Sequence, residues 1–329
     1  MKALLSTSPG GPETLQLTDL PDPVAGAGEL LVRVRACAIN YPDVLIIEDK
    51  YQLKPPRPFA PGSEIAGEVE GVGGGVVGWL PGDRLIAATG FGGLVEKIVI
   101  SAKAAIPLPP QRSFEPGSAL LLTYATAIHA LVDRGRLQAG QTLLVLGAGG
   151  GVGLAAVEIG VALGARVVAA ASSEEKVAAA RDAGAEATLV YPRDITDPRA
   201  LSQMFKDAIG PQGADVILDP VGGDYAEAAL RSIAWEGRYL VVGFPAGIPS
   251  LPLNLTLLKS CDVCGVFWGA FAARDPAANA AHIAQLFAWW DEGRIAPKVS
   301  ATYPLARAGE AIAALRDRQA IGKLVVTLD

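Results

Sequence analysis

Leu143-Leu144-Val145-Leu146-Gly147-Ala148-Gly149-Gly150-Gly151-Val152-Gly153-Leu154 decides the reading of this chain. A short apolar run enters a glycine cluster. An apolar helical pattern follows through Ala155, Val157, Ile159, Val161 and Leu163. Gly164 ends that pattern, and a second apolar run covers Arg166 to Ala171. Strand, glycine turn, helix and strand make one βαβ unit of a length suited to a dinucleotide. The glycines serve separate needs. They allow a tight turn, let backbone N–H groups approach a pyrophosphate, and let the helix pack close to the sheet with the positive end of its dipole facing the phosphate. The motif is not a strict GxGxxG. Counted back from Gly153 it reads Ala148-x-Gly150-x-x-Gly153, or Gly147-x-x-Gly150-x-x-Gly153. A flexible loop can imitate a lone glycine cluster, but here the flanking elements are those the turn requires.

The 329 residues suggest about two domains. Half of them are hydrophobic, ample for a core. The net charge of −6 is spread along the chain without a basic block, which argues against nucleic acid as the main partner. No apolar run reaches the ~18 residues of a membrane helix. Met1 to Leu5 is followed at once by Ser6-Thr7-Ser8-Pro9, too short an apolar region for a signal peptide. The cysteines are Cys37, Cys261 and Cys264, an odd number in a long chain. Together these features imply a reducing cytoplasm and no disulfide framework.

Residues 1 to about 120 alternate apolar and charged positions, as in Glu29 to Ala36, Ile65 to Val69 and Arg84 to Ala88, with turn chemistry at Pro81-Gly82-Asp83. This part reads as a β-rich domain. From Gly117 the texture changes, and helix patterns alternate with short strands at Leu143–Leu146, Val167–Ala171, Ala187–Val190, Val216–Leu218 and Tyr239–Val242. That alternation predicts a parallel sheet in an α/β fold. After Lys259 come Phe267-Trp268, Trp289-Trp290, a helix pattern from Ala306 to Arg318 and a strand at Lys323–Leu328.

The chain resembles the medium-chain dehydrogenase/reductase superfamily, and within it the zinc-free NADPH:quinone oxidoreductase branch. The matching pieces are Ala36 to Asp43, Pro61 to Gly67, Gly82 to Leu85, Leu122 to Ala127, the glycine turn, Asp219-Pro220-Val221-Gly222-Gly223 and Gly322 to Val325. The resemblance implies a GroES-like β-rich catalytic domain and an inserted Rossmann domain, a doubly wound parallel sheet. It gives residues 1–120 as the N-terminal part of the catalytic domain, 121–259 as the NADP-binding domain and 260–329 as a segment completing the catalytic domain, with the active-site cleft between the two domains.

In zinc-dependent relatives a cysteine and a histidine help hold the catalytic metal. Those positions here are Asn40 and Ser63, and neither is a credible zinc ligand. The four-cysteine structural lobe is missing, and His129 and His282, the two histidines, have no ligand type at metal spacing. The expectation is no metal. Cys261-x-x-Cys264 reads either as a metal or redox pair or as two cysteines of an apolar strand. His129 lies in an apolar helical pattern and reads as structural.

An NAD site usually carries an Asp or Glu at the end of the second strand to hold the ribose. That position is Ser172, which tolerates a phosphate where a carboxylate would repel it. Lys176 follows one turn later, where the family commonly places a lysine for the 2′-phosphate; the alternative is a solvated surface lysine. Ser172-x-x-Glu175 has the pattern of a capping box, which places Glu174 and Glu175 in a first helical turn. Tyr191 ends the third strand, where relatives contact the adenosine phosphate. These features favour NADPH over NADH. The remaining cofactor contacts are expected at Gly147, Gly150, Gly151, Val152 and Gly153 of the turn and at Phe267, with Thr126, Gly243 and Phe244 placed by the resemblance near the nicotinamide. Phe267 and Trp268 read equally as lining, core or subunit interface.

Without a Lewis acid, hydride delivery suits an electron-poor alkene or quinone, whose negative charge delocalises onto oxygen. In similar enoyl reductases an Asn-x-x-Asp pattern is followed by a tyrosine that protonates the substrate. Asn40-x-x-Asp43 and Tyr51 fall at the matching places. Tyr51 reads as that donor or as a loop tyrosine covering apolar surface, Asn40 as a donor to the substrate carbonyl or a loop fixture, and Asp43 as a base or, in preference, a structural hydrogen-bond partner. The leading expectation is an NADPH-dependent reductase of quinones or α,β-unsaturated carbonyls. The alternatives are reduction of an enoyl thioester and, in another class, a cofactor-binding structural or RNA-binding protein. The family commonly pairs sheet edges, so the apolar strand Cys261–Phe267 implies a homodimer.

Overall fold

The computed structural model describes residues 1–328. It divides into two compact units: Met1–Leu122 together with the chain from Pro297, and Thr123–Ala296.

The first unit is built on a seven-stranded sheet. Its strands run in the order Val299–Pro304, Lys323–Thr327, Glu29–Ile39, Glu64–Val72, Arg84–Ala88 and Ile106–Pro107, and Lys97–Ser101 adds to Glu29–Ile39. Glu29–Ile39 shows why the alternating sequence makes a strand. Leu30, Val32 and Val34 face the core, while Arg33 and Arg35 face outward and pair with Glu70 and Glu68 on the neighbouring strand. The last strand returns antiparallel beside it. Leu324 pairs with Ile39, and this register brings Lys323 alongside Asn40. A short helix, Tyr41–Ile47, follows, with Pro42 in its first turn, where the missing N–H costs nothing. It buries Val44, Ile46 and Ile47. Each such side chain contributes about 1.5–3 kcal/mol, which fixes the chain entering the helix at Asn40.

The second unit carries a six-stranded parallel sheet in the order Ala187–Val190, Arg166–Ala171, Thr142–Val145, Ala214–Asp219, Ile233–Val241 and Asp262–Gly265. The order reverses direction beside Thr142–Val145, so the crevice at the carboxyl ends of that strand and Ala214–Asp219 is a topological switch point. The predicted α/β architecture is present, and Arg84–Ala88 and Ala187–Val190 have the predicted bounds.

The second junction differs from the expected one. Residues 260–296 belong to the nucleotide-binding unit rather than completing the catalytic domain. The reason is pairing: Asp262–Gly265 joins Ile233–Val241 as the sheet's edge strand, and helices Trp268–Arg274 and Pro276–Asp291 follow before the chain returns. Trp289 and Trp290 are buried in the second of these helices. No helix among the described residues is long and apolar enough to cross a membrane.

Candidate functional site

The glycine turn leaves the strand Thr142–Val145 and opens the helix Gly151–Ala162. Gly147 has a left-handed φ of 58°, which lets the chain reverse without Cβ strain. At Gly153 a Cβ would lie 2.2 Å from the Gly147 carbonyl oxygen, so only glycine lets the helix approach the turn this closely. Gly150 caps the helix in an extended conformation. The N–H groups of Gly151, Val152 and Gly153 then have no intrahelical acceptor and mark an anion-binding helix end.

Lys176 meets this turn directly. A Cβ on Gly149 would lie 2.5 Å from the Lys176 Cβ and 2.7 Å from its Cγ, so the lysine stem lies across Gly149. Lys176 sits in the helix Glu174–Asp182, and Glu174 and Glu175 occupy its first turn as the sequence indicated. The cap is Ser173, not Ser172: the Ser173 hydroxyl accepts from the Lys176 N–H at 3.4 Å. The cap lies one residue beyond the expected position because two adjacent serines both suit it; with Ser173 in that role, Ser172 stands at the strand end outside the cap. Tyr191 is buried, its ring 4.7 Å from Tyr225 and 6.4 Å from Phe205. The Tyr225 hydroxyl donates to the carbonyls of Pro192 and Arg193 and fixes the chain leaving Tyr191. Thr126 begins the short helix Thr126–Ile128 between two π-helical turns, Leu121–Ala125 and His129–Arg134. Gly243 and Phe244 follow the strand Ile233–Val241, and Phe244 and Phe267 are exposed.

Asn40 and Asp43 lie in the first unit, both buried. Asp43 accepts hydrogen bonds from the N–H of Asn40 (2.7 Å), the N–H of Gly62 (3.0 Å) and the Ser63 hydroxyl (3.3 Å). Burial raises its carboxyl pKa to about 6 against the pull of those N–H groups. The Asn40 amide donates to Glu64 (2.8 Å), Ala38 and Ser63, and its oxygen accepts from Lys323. Lys323 also donates to Glu64 at 2.8 Å, in an ion pair whose side chains are 5 % and 1 % exposed. The second Glu64 oxygen accepts from the N–H of Leu122. The polar atoms of Asn40 and Asp43 are thus engaged by the protein's own groups. Glu64 and Lys323 were not among the expected site residues. The available signal was a lysine opening an otherwise apolar strand, Lys323-Leu324-Val325-Val326. The Cys37 thiol is buried beside this network, and burial pushes its pKa well up.

Tyr51 is not a member of that network. It follows Asp49, which has a left-handed φ of 58°, and Arg57 clasps this loop through Asp49 (2.7 Å) and the Ile47 carbonyl (2.9 Å). The ring packs on the apolar core, half-buried. Burial and the nearby Asp43 carboxylate raise the phenol pKa, so it stays protonated at neutral pH.

In the second unit, His129 Nδ1 lies 2.6 Å from Asp133 and the ring stacks on Phe271; His282 reaches the other oxygen of the same carboxylate at 3.5 Å. Cys261 and Cys264 are free thiols at the sheet edge.

Two family models match the chain: "Alcohol dehydrogenase GroES-like domain" over residues 26–110 and "Zinc-binding dehydrogenase" over 151–285. A quinone oxidoreductase-like protein 2 homolog of Nematostella vectensis is 36% identical, with 92% of this chain and 82% of that protein covered. A mycobacterial protein solved in complex with NADPH is 30% identical over the whole of both chains, with a TM-score of 0.92. The quinone oxidoreductase of Thermus thermophilus, also solved in complex with NADPH, is 33% identical over the whole of both chains, with a TM-score of 0.85. The chain belongs to the medium-chain dehydrogenase/reductase superfamily and is an oxidoreductase of that fold. The zinc in one model's description does not fit the residues present. At the two expected ligand positions stand Asn40 and Ser63, whose amide and hydroxyl are committed to Glu64, Lys323 and Asp43. Among the described residues no group of three or more His, Cys, Asp or Glu side chains could hold a metal.

Proposed function

We propose that this oxidoreductase uses NADPH to reduce quinones or α,β-unsaturated carbonyls without a metal. The observation that carries the cofactor assignment is the Lys176 stem lying across Gly149, which roots a cationic side chain at a turn suited to a dinucleotide phosphate. Ser172 at the strand end supports the same choice, because no carboxylate there repels a 2′-phosphate. The solved relatives that bind NADPH share this fold throughout. Bound NADPH supplies the hydride.

The chain's own residues supply the rest. The first-turn N–H groups of Gly151, Val152 and Gly153 hold the pyrophosphate. Asn40, Asp43, Glu64 and Lys323 keep the loop between Asn40 and Tyr51 in place. Tyr51, protonated at neutral pH, is the candidate proton donor to a reduced alkene. A quinone collects its protons from water and needs Tyr51 less. With no Lewis acid to hold an alkoxide, the substrate must already be electrophilic.

A panel of quinones, enones, enals, enoyl-CoAs, saturated ketones and simple alcohols, followed at the NADPH absorbance, tests this reading. Turnover of the conjugated substrates with almost none of the saturated ketones supports it. A preference for simple alcohols or ketones sinks it.

The sheet edge supports a homodimer. Val263 on the edge strand and Leu253, Leu257 and Leu258 in the chain just before it are exposed, the last three at 75%, 80% and 65%. A bare apolar edge is an aggregation hazard that a second copy would cover. Light scattering showing a monomer at micromolar concentration would rule it out.

A further inference from the structure

Asp219 ends the strand Ala214–Asp219, at the switch point beside the glycine turn. It is 2% exposed, and its hydrogen-bond partners are neutral donors. One carboxylate oxygen accepts the N–H groups of Val221 (2.8 Å) and Gly222 (2.9 Å). The other accepts the Tyr239 hydroxyl at 2.6 Å. Tyr239 is fully buried on the adjacent parallel strand, in register with Ile217. Ile217 and Asp219 face the same side of the sheet, two residues apart, so the phenol reaches up its own face to the rim. Burial raises the Asp219 pKa and the three donors oppose that shift.

The loop held by this carboxylate touches both of its neighbours. On one side Val221 packs against the glycine turn: a Cβ on Gly147 would lie 2.7 Å from Val221 Cγ2. On the other side the Val221 carbonyl accepts the Ala246 N–H (2.9 Å), and the Gly223 N–H donates to the Gly247 carbonyl (2.7 Å). Gly222 and Gly223 have left-handed φ values of 71° and 57°. The Pro220–Gly223 segment is therefore the link between the turn and the Gly243–Gly247 loop, and its shape depends on one buried carboxylate.

We infer that Asp219 and Tyr239 form a positioning pair: Tyr239 holds the Asp219 carboxylate, which fixes the Pro220–Gly223 loop against the glycine turn and so sets the affinity of the dinucleotide site. This rests on the cofactor reading above and extends it. The pair's loop meets the turn at Gly147, whereas Lys176 meets it at Gly149; the pair brings no charge for a 2′-phosphate, so it acts on the part of the cofactor that NADPH and NADH share. Loss of the pair weakens both by the same factor, whereas loss of Lys176 weakens NADPH alone.

The test uses the full chain. NADPH and NADH are titrated by fluorescence against wild type, Tyr239→Phe, Asp219→Asn and Asp219→Ala, with steady-state kinetics alongside. In Tyr239→Phe a buried carboxylate oxygen loses its donor, and binding of both cofactors weakens by about tenfold. KM for the cofactor rises with it, while kcat at saturation stays within about twofold. Asp219→Asn keeps a carbonyl oxygen for both loop N–H groups and stays within about threefold of wild type. Asp219→Ala loses at least as much as Tyr239→Phe. Hydrogen exchange without cofactor quickens at residues 221–223 and 246–247 and not in the central strands. A purely structural pair would lower the melting temperature and leave these affinities and exchange rates unchanged; that result, or a loss confined to NADPH, overturns the inference. If Asp219→Ala does not fold, Tyr239→Phe against Asp219→Asn decides it. Wild type that binds neither cofactor defeats the cofactor reading and the inference together. Wild type that binds while Tyr239→Phe binds as tightly defeats the inference alone.

Discussion

The glycine turn and the network around Lys323 solve opposite problems. In the turn, Gly147, Gly150, Gly151 and Gly153 carry no side chain, and the first-turn N–H groups of Gly151, Val152 and Gly153 are left bare for an incoming anion. In the network, side chains are abundant and satisfied by one another: Asn40, Asp43, Ser63, Glu64 and Lys323 are all buried with internal partners. The first region is built to meet something from outside. The second stabilises a loop, and Tyr51 lies outside the network. A polar cluster is therefore not evidence of reactivity when each of its atoms has an internal partner.

Breaking the network gives the largest effect. Lys323→Met leaves Glu64 as an uncompensated buried charge, and losing one partner of such a pair costs about 3–5 kcal/mol of stability. The double variant Lys323→Met with Glu64→Gln keeps an acceptor for the Leu122 N–H and recovers most of that loss. Urea denaturation measures both. A single variant as stable as wild type would mean that the pair is not holding the loop.

The network also has a pH signature. Asp43 titrates at about 6 in the folded protein against 3.8 for the ordinary side chain. Below pH ~4 it is protonated folded and unfolded alike. Between pH ~4 and ~6 the folded state keeps a proton that the unfolded state releases, so stability falls as pH rises through this window. The span is at most about 3 kcal/mol. Relative to Asp43→Asn, wild type loses stability from pH 4 to 6 and runs parallel above. Parallel curves throughout would remove Asp43 from the buried, neutralised set.

The turn breaks differently. In Gly153→Ala the new Cβ meets the Gly147 carbonyl at 2.2 Å, and the helix must withdraw. NADPH affinity falls about a hundredfold, or ~2.7 kcal/mol, with the stability of the first unit unchanged. Lys176→Ala has the smallest effect. It raises KM for NADPH by about tenfold, ~1.4 kcal/mol, and leaves NADH nearly unchanged. Equal use of the two cofactors by wild type would contradict the role given to Lys176.

The same contrast explains what could be read in advance. The turn is one contiguous stretch, and its function lies in residue types at fixed spacing, so the strands, the helix and its glycines were legible. The network joins residues 40–43, 63–64 and 323 through strand register. Two of its members, Asn40 and Asp43, were visible as a pattern, but their burial was not, and Lys323 and Glu64 became partners only through pairing with Ile39 and its neighbours. The second junction was missed for a similar reason. Asp262–Gly265 is only four residues long, and nothing local says which sheet it joins. The helix cap was misplaced by one because Ser172 and Ser173 offer the same chemistry.

The most direct test follows an isotope. The enzyme is given a conjugated enone and NADPH deuterated at C4 of the nicotinamide, each C4 stereoisomer in turn, after treatment with a chelator. The account predicts that one isomer transfers deuterium to the β-carbon of the saturated product and that the chelator changes nothing. Product free of deuterium with both isomers, or activity lost to the chelator and restored by zinc, would contradict it.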